Sequence, residues 1–205
     1  GGKKNTINFE FVKGRLKARY ASSSPQASIR FFEQLSVENP NNENKYAYLM
    51  ALQATGNSEK ALLIVNELLG RYPKNLILNI TKAEIYLLDQ KLEKAKLQIE
   101  AVLKISPGNY PASIIKSNIL SAQNKTIQAE EIVRELLITK NNDPHLWMLL
   151  SEIQRSGKNI LGYHLSRGEY YLLLGDLENA LNQFQFALRI SGSSFQTSET
   201  IMTKI

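Results

Sequence analysis

The 205-residue sequence contains no cysteine, one tryptophan and two histidines. Without cysteine there can be no disulfide, no thiolate metal site and no cysteine nucleophile, and that absence suits a cytosol and a periplasm equally. No apolar run approaches the ~20 residues of a membrane span. The opening "GGKKNTINFEF" is basic but lacks the apolar core and cleavage site of a secretion signal. No glycine-rich phosphate loop and no Gly-x-Ser-x-Gly elbow occurs; "GNSEK" at 56–60 reads as a helix turn capped by Asn57 or Ser58. These absences leave a non-catalytic binding module as the expectation for this chain.

The 43% hydrophobic content is that of a folded protein, and the net charge of +6 is concentrated at one end. Residues 1–20 carry Lys3, Lys4, Lys13, Arg15, Lys17 and Arg19 against Glu10 alone, which accounts for +5 of the total. The last four cations step by two, so on a helix they spread over more than one face and form no phosphate-tracking stripe. A nucleic-acid partner is therefore not expected.

The period decides the fold. Ala27, Ala61, Ala95 and Ala129 are spaced 34 apart, and a large apolar residue follows each by four: Phe31, Val65, Ile99 and Val133, with Phe184 after Ala180. Small residues recur twelve before the alanine at Ala83, Ser117 and Gly168, while Arg15 departs from that pattern. Where paired helices cross, their axes approach closely only if one side is small, and the large neighbour fills the adjacent gap. Gly56 and Gly175 stand where the first helix of a pair must turn, and Gln90 and Asn124 replace glycine there. "AEIYLLDQKLEKAKLQIEAVL" at 83–103 is amphipathic at helical period, and no stretch alternates like a strand.

This pattern resembles tetratricopeptide repeats. The resemblance implies an all-α superhelix of about eleven or twelve helices in antiparallel pairs, as a single domain over 1–205. Units are expected at 8–41, 42–75, 76–109, 110–143 and 161–194, with a half-unit at 144–160 and a capping helix at 195–205. Ala129 and Ala180 are 51 apart, one unit and a half. "PHLWMLLSEIQRSG" at 144–157 starts as a first helix, and "NILGYHLSRGEYYLLLG" at 159–175 is expected to serve two pairs at once. The expected superhelix is therefore irregular over 144–175.

The concave face of such a superhelix is lined by first helices. The period assigns to it Tyr46 and Met50, then Ile77, Ile80, Glu84 and Leu87, then Ile114 and Asn118, and finally Met148, Glu152 and Arg155. An apolar floor with few polar groups would hold an extended, partly apolar client segment with loose sequence demands. A Lys/Asn/Arg clamp for a C-terminal carboxylate is not expected, because Asn118 stands nearly alone.

The C-terminal third carries a narrower likeness. Trp147; His164, Arg167, Glu169, Tyr170 and Tyr171; and Ala180, Gln183, Ala187 and Leu188 resemble the repeat region of the β-barrel assembly-enhancing periplasmic zinc metalloproteases (BepA-like). "NFEFVKGRLKARY" is similar to the segment of that family where the protease gives way to the repeats. The resemblance implies a periplasmic location, docking on a protease domain outside this sequence, and contact with the barrel-assembly machinery and unfolded barrel clients. It implies zinc only in that other domain: His145 and His164 form no His-Glu-x-x-His helix, so no cofactor is expected in this chain. The alternative is a stand-alone adaptor or co-chaperone in secretion or envelope assembly.

Overall fold

The computed structural model describes residues 2–20, 24–191, 199 and 203. Among these there are eleven helices and no strand: α1 (Gly2–Tyr20), α2 (Pro25–Glu38), α3 (Asn42–Ala54), α4 (Ser58–Arg71), α5 (Leu76–Leu88), α6 (Leu92–Ile105), α7 (Tyr110–Ala122), α8 (Thr126–Thr139), α9 (Pro144–Ser156), α10 (Ile160–Leu173) and α11 (Leu177–Ser191). The expected capping helix over 195–205 lies, but for Glu199 and Thr203, outside the described residues. The chain divides into two compact units, 1–115 and 116–205, the division falling within α7.

Two kinds of turn alternate, and their chemistry explains the period. At Gly56, Gln90, Asn124, Lys158 and Gly175 the backbone takes positive φ, between 56° and 76°. After each, the next N–H reaches back five residues: Asn57 to Leu52, Lys91 to Tyr86, Lys125 to Leu120, Asn159 to Gln154 and Asp176 to Tyr171, at 2.8–3.0 Å. This is the bonding of a Schellman helix end, which satisfies carbonyls the helix leaves open. Between pairs the chain instead turns at Tyr72–Asn75, Ser106–Asn109 and Lys140–Asp143, where the fourth residue donates to the first at 3.0–3.1 Å. Asn75, Asn109 and Asp143 then accept with their side chains from the first turn of the next helix.

The half-unit is written in these turns. The first four positive-φ residues are 34 apart, whereas Lys158 and Gly175 are 17 apart. Helix α10 thus begins like the second member of a pair and ends like the first. It packs on both α9 and α11. Gly168 of α10 permits this on the α11 side: a Cβ there would lie 2.7 Å from Cδ1 and Cζ of Phe184 and nearer still to Cε1. Phe184, Ala180 and Ala187 form a small core with Leu161, Leu165, Tyr171 and Leu188.

In the first unit the core gathers Phe11, Phe32, Tyr46, Leu49, Leu52, Ala61, Val65 and Leu68. Here α1 lies against α3, and the close approach falls at Gly14, one residue before Arg15: a Cβ there would meet the Glu43 carbonyl at 2.5 Å. The register position for a small residue is thus filled by an arginine because its neighbour does the packing.

Candidate protein-binding surfaces

The first helices of the N-terminal unit are joined by a polar ladder. Arg15 Nη2 of α1 donates to the Tyr46 hydroxyl of α3 at 3.0 Å and to Thr81 Oγ1 of α5 at 3.4 Å. Tyr46 Oη and Thr81 Oγ1 are 2.7 Å apart, and Thr81 also donates to the Ile77 carbonyl. Glu84 lies 3.5 Å from Arg15 and accepts from Gln53 Nε2 at 3.4 Å. Burial by itself would lower the Arg15 pKa, but attraction and hydrogen bonds from Tyr46 and Glu84 outweigh it and the net direction is upward. Burial pushes the Tyr46 phenol up, with Arg15 and Thr81 opposing. Tyr46 is fully buried and Ile80 only 5% exposed. Both are corrections to the expected groove lining: a first helix is packed on two sides, so apolar residues on its period are covered.

The remaining expected positions of this unit, Met50, Ile77, Glu84, Leu87 and Ile114, are half-buried. Beside Met50 the surface opens into a cavity of about 360 Å³ lined by Arg15, Ala18 and Arg19 of α1, Pro25 and Ser28 of α2, and Met50, Ala51 and Ala54 of α3. Its floor is small and apolar, and its charged groups are two guanidiniums. Among the described residues only Arg15 of the two is engaged with a carboxylate; Arg19 lies 5.9 Å over the Tyr20 ring. The period did not single this cavity out. The signal was the set of small residues, Ala18, Ser28, Ala51 and Ala54, which leave space between α1, α2 and α3.

In the second unit Asn118, Met148 and Glu152 are half-buried and Arg155 is exposed. Glu152 accepts from Arg155 Nε at 3.0 Å, and its other oxygen lies 4.0 Å from Arg167 Nη1 of α10. Arg167 joins these positions. It donates to Met148 Sδ and, at 3.2 Å, to the Tyr171 hydroxyl, and its guanidinium lies 5.2 Å and 5.1 Å from the Tyr170 and Tyr171 ring centres. A cation over aromatic faces is held without full dehydration. Below it, the fully buried Gln154 accepts from Ser166 Oγ at 2.7 Å and donates to Glu130 at 3.1 Å. Trp147 Nε1 donates to the Asn141 carbonyl at 2.6 Å, closing the turn before α9.

Neither histidine is placed as a metal ligand. His145 is exposed at the start of α9, while His164 Nδ1 lies 2.8 Å from Gln183 Oε1 and its ring stacks on Phe186 at 5.3 Å. Among the described residues no group of three or more His, Cys, Asp or Glu could hold a metal ion. No helix among the described residues is long and apolar enough to cross a membrane.

Residues 86–153 match the tetratricopeptide repeat family model. No curated protein sequence matches the chain significantly. Among solved structures, a tetratricopeptide repeat protein from Parabacteroides merdae is similar with a TM-score of 0.59 at 15% identity, over 97% of this chain and 83% of that one. A thermophilic tetratricopeptide protein of Thermus thermophilus gives 0.59 at 20% identity, over 95% and 98%. MamA from Desulfovibrio magneticus gives 0.51 at 16%, over 95% and 98%. Repeat arrays of this kind present extended surfaces to protein partners rather than a catalytic centre. With its paired helices, recurrent turns and matched repeat segment, the chain has the tetratricopeptide repeat fold.

Proposed function

We propose that this chain is a non-catalytic module that seats partly apolar segments of client proteins against the first helices of its N-terminal unit. The cavity between α1, α2 and α3 carries this reading. Its volume lies in the range of ligand-recognition sites, and its floor of alanines and Met50 suits an apolar side chain. Arg19 lines the cavity without a carboxylate partner among the described residues and can donate to a carboxylate or carbonyl of the same segment. Arg15, held by Tyr46 and Glu84, is fixed in place and adds a preset positive field rather than a mobile donor.

The likeness of the C-terminal third to β-barrel assembly-enhancing proteases supports a finer reading. The module is periplasmic, docks on a zinc protease domain, and brings that domain to unfolded outer-membrane barrel proteins and their assembly machinery. Any zinc chemistry belongs to that other domain.

Two measurements test these levels separately. Fluorescence anisotropy with peptides of ~10 residues copying an outer-membrane β-strand reads the cavity directly. Ala54→Trp, which fills the cavity from an exposed position, and Arg19→Glu should each weaken binding at least about tenfold; equal binding in both would refute the site. Reading the gene on the 5′ side of the Gly1 codon tests the family. A secretion signal and a His-Glu-x-x-His helix are expected, whereas a start codon at that point would remove the protease and leave a stand-alone adaptor.

A further inference from the structure

Helix α1 has two apolar faces on opposite sides. Ile7, Phe11, Gly14 and Ala18 face inward, and Phe11 rests against Tyr46 of α3 with ring centres 5.2 Å apart. On the outward side stand Phe9, Val12, Leu16 and Tyr20, with exposures of 58%, 46%, 49% and 76%. Both sets step by three and four residues, the stagger of a helix meeting another helix. Four large apolar side chains in one line on a surface helix mark a contact site rather than scattered exposure.

The charge around the outward line is of one sign. Lys13 Nζ lies 4.9 Å over the Phe9 ring and the Arg19 guanidinium flanks Tyr20 on the other edge, and neither has a carboxylate partner among the described residues. Lys17 is turned to α3, where it pairs with Glu43. The acid within this stretch of α1, Glu10, is also directed to α3, accepting from Asn42 Nδ2 at 2.7 Å. The outward face therefore offers an apolar seam with cations on both edges and no anion.

We infer that the outward face of α1 docks an amphipathic helix of a partner protein whose apolar seam is flanked by carboxylates. The partner helix lies along α1 on the side opposite α3, its apolar residues between Phe9, Val12, Leu16 and Tyr20 and its acids reaching Lys13 and Arg19, as flanking charges do beside a two-helix seam. A second copy of this chain would set like charges against each other across the same seam. A bilayer surface calls for a broad apolar face, and this one is a single file of side chains edged directly by cations. The apolar seam is separate from the cavity, whose lining excludes Phe9, Val12, Leu16 and Tyr20, although the two share Arg19 at their common edge.

The test uses a synthetic helix of about 18 residues, long enough to hold helicity, with leucines at heptad seam positions and glutamates on the flanks. Its counterpart carries lysines instead, and vesicles of phosphatidylglycerol or of phosphatidylcholine provide the lipid arms. The acidic peptide should bind the chain, and Leu16→Glu should weaken that binding about tenfold or more with the helical circular dichroism and melting curve unchanged. Lys13→Glu should shift the preference toward the lysine peptide, and Ala54→Trp should leave it as it was. Absence of binding, equal binding of the two peptides, or no effect of Leu16→Glu overturns the inference. So does binding to phosphatidylglycerol vesicles that the acidic peptide does not displace, or self-association in sedimentation velocity that Leu16→Glu abolishes.

Discussion

Gly168→Ala tests the double use of α10 directly. Carbon atoms in a packed core sit about 3.5–4.0 Å apart, whereas the new Cβ would lie 2.7 Å from two carbons of Phe184. That ring is 1% exposed in the small core of α10 and α11, so it has little room to retreat. Overpacking of this kind costs about 1–3 kcal/mol, and the better helix propensity of alanine returns up to about 1 kcal/mol. The expected net loss is about 1–2 kcal/mol. Trp147 lies in the same unit, so its fluorescence through a urea titration reports the relevant transition. Gly70→Ala, in the other unit and followed by helical circular dichroism, is the control, because nothing lies within 4 Å of its added Cβ, and it should be neutral or slightly stabilising. In a Phe184→Leu background, Gly168→Ala should lose its penalty, since the pair is coupled through the ring. If Gly168→Ala is as stable as the parent, α10 does not approach α11 closely and the half-unit reading falls.

Gln90→Gly and Lys158→Gly should each stabilise the fold by about 1 kcal/mol, because a left-handed residue with a Cβ carries a cost of about 1–2 kcal/mol that glycine avoids; an unchanged or lower urea midpoint would refute this. Tyr46→Phe should cost about 1–2 kcal/mol by leaving Arg15 and Thr81 without the hydroxyl between them; a neutral melt counts against the ladder. The Tyr48 phenol is pushed up to about 12 by burial and by its hydrogen bond to Glu33 at 2.6 Å. Its folded-state pKa is raised, so the contribution is whole below pH ~10, the unfolded value, and is lost as pH rises to about 12. Absorbance at alkaline pH should show late-titrating tyrosines that include Tyr46 and Tyr48, and Tyr48→Phe should remove one of them while leaving the other.

What the sequence made legible was the recurrence; what it hid was how neighbouring residues share a task. Gln90 and Asn124 were recognisable as turn positions because they stand 34 from Gly56 and its successor, and both take positive φ. Lys158 was not, since Gly157 beside it looks like the turn residue. The structure gives Gly157 φ −79° and the job of admitting Thr126, whose Oγ1 would lie 2.7 Å from an added Cβ. Arg15 and Gly14 divide their roles in the same way. Along the first helices the period placed Tyr46 and Ile80 on one face with Met50 and Glu84, but a pattern of positions carries no information on what stacks over them. Packing on two sides buries the former pair and leaves the latter half-exposed.

The same distinction describes the end of the array. The matched segment, 86–153, runs through the in-phase turns at Gln90 and Asn124 and ends just before Lys158. Beyond it the helix ends remain chemically identical, with the same positive φ and the same five-residue return bond at Gly175, but they arrive after 17 residues instead of 34. A half-unit shift leaves every local rule intact, since caps, turns and small-to-large packing act over a few residues. It breaks only the long-range phase on which a repeat profile depends. Helix α10 can absorb the shift because it has a small residue for each neighbour: Gly162 beside Gln154 of α9 and Gly168 beside Phe184 of α11. A side chain at Gly168 would have to displace the Phe184 ring and one at Gly162 the Gln154 and Asn159 amides, so each substitution weakens α10 on the side it faces without abolishing the junction.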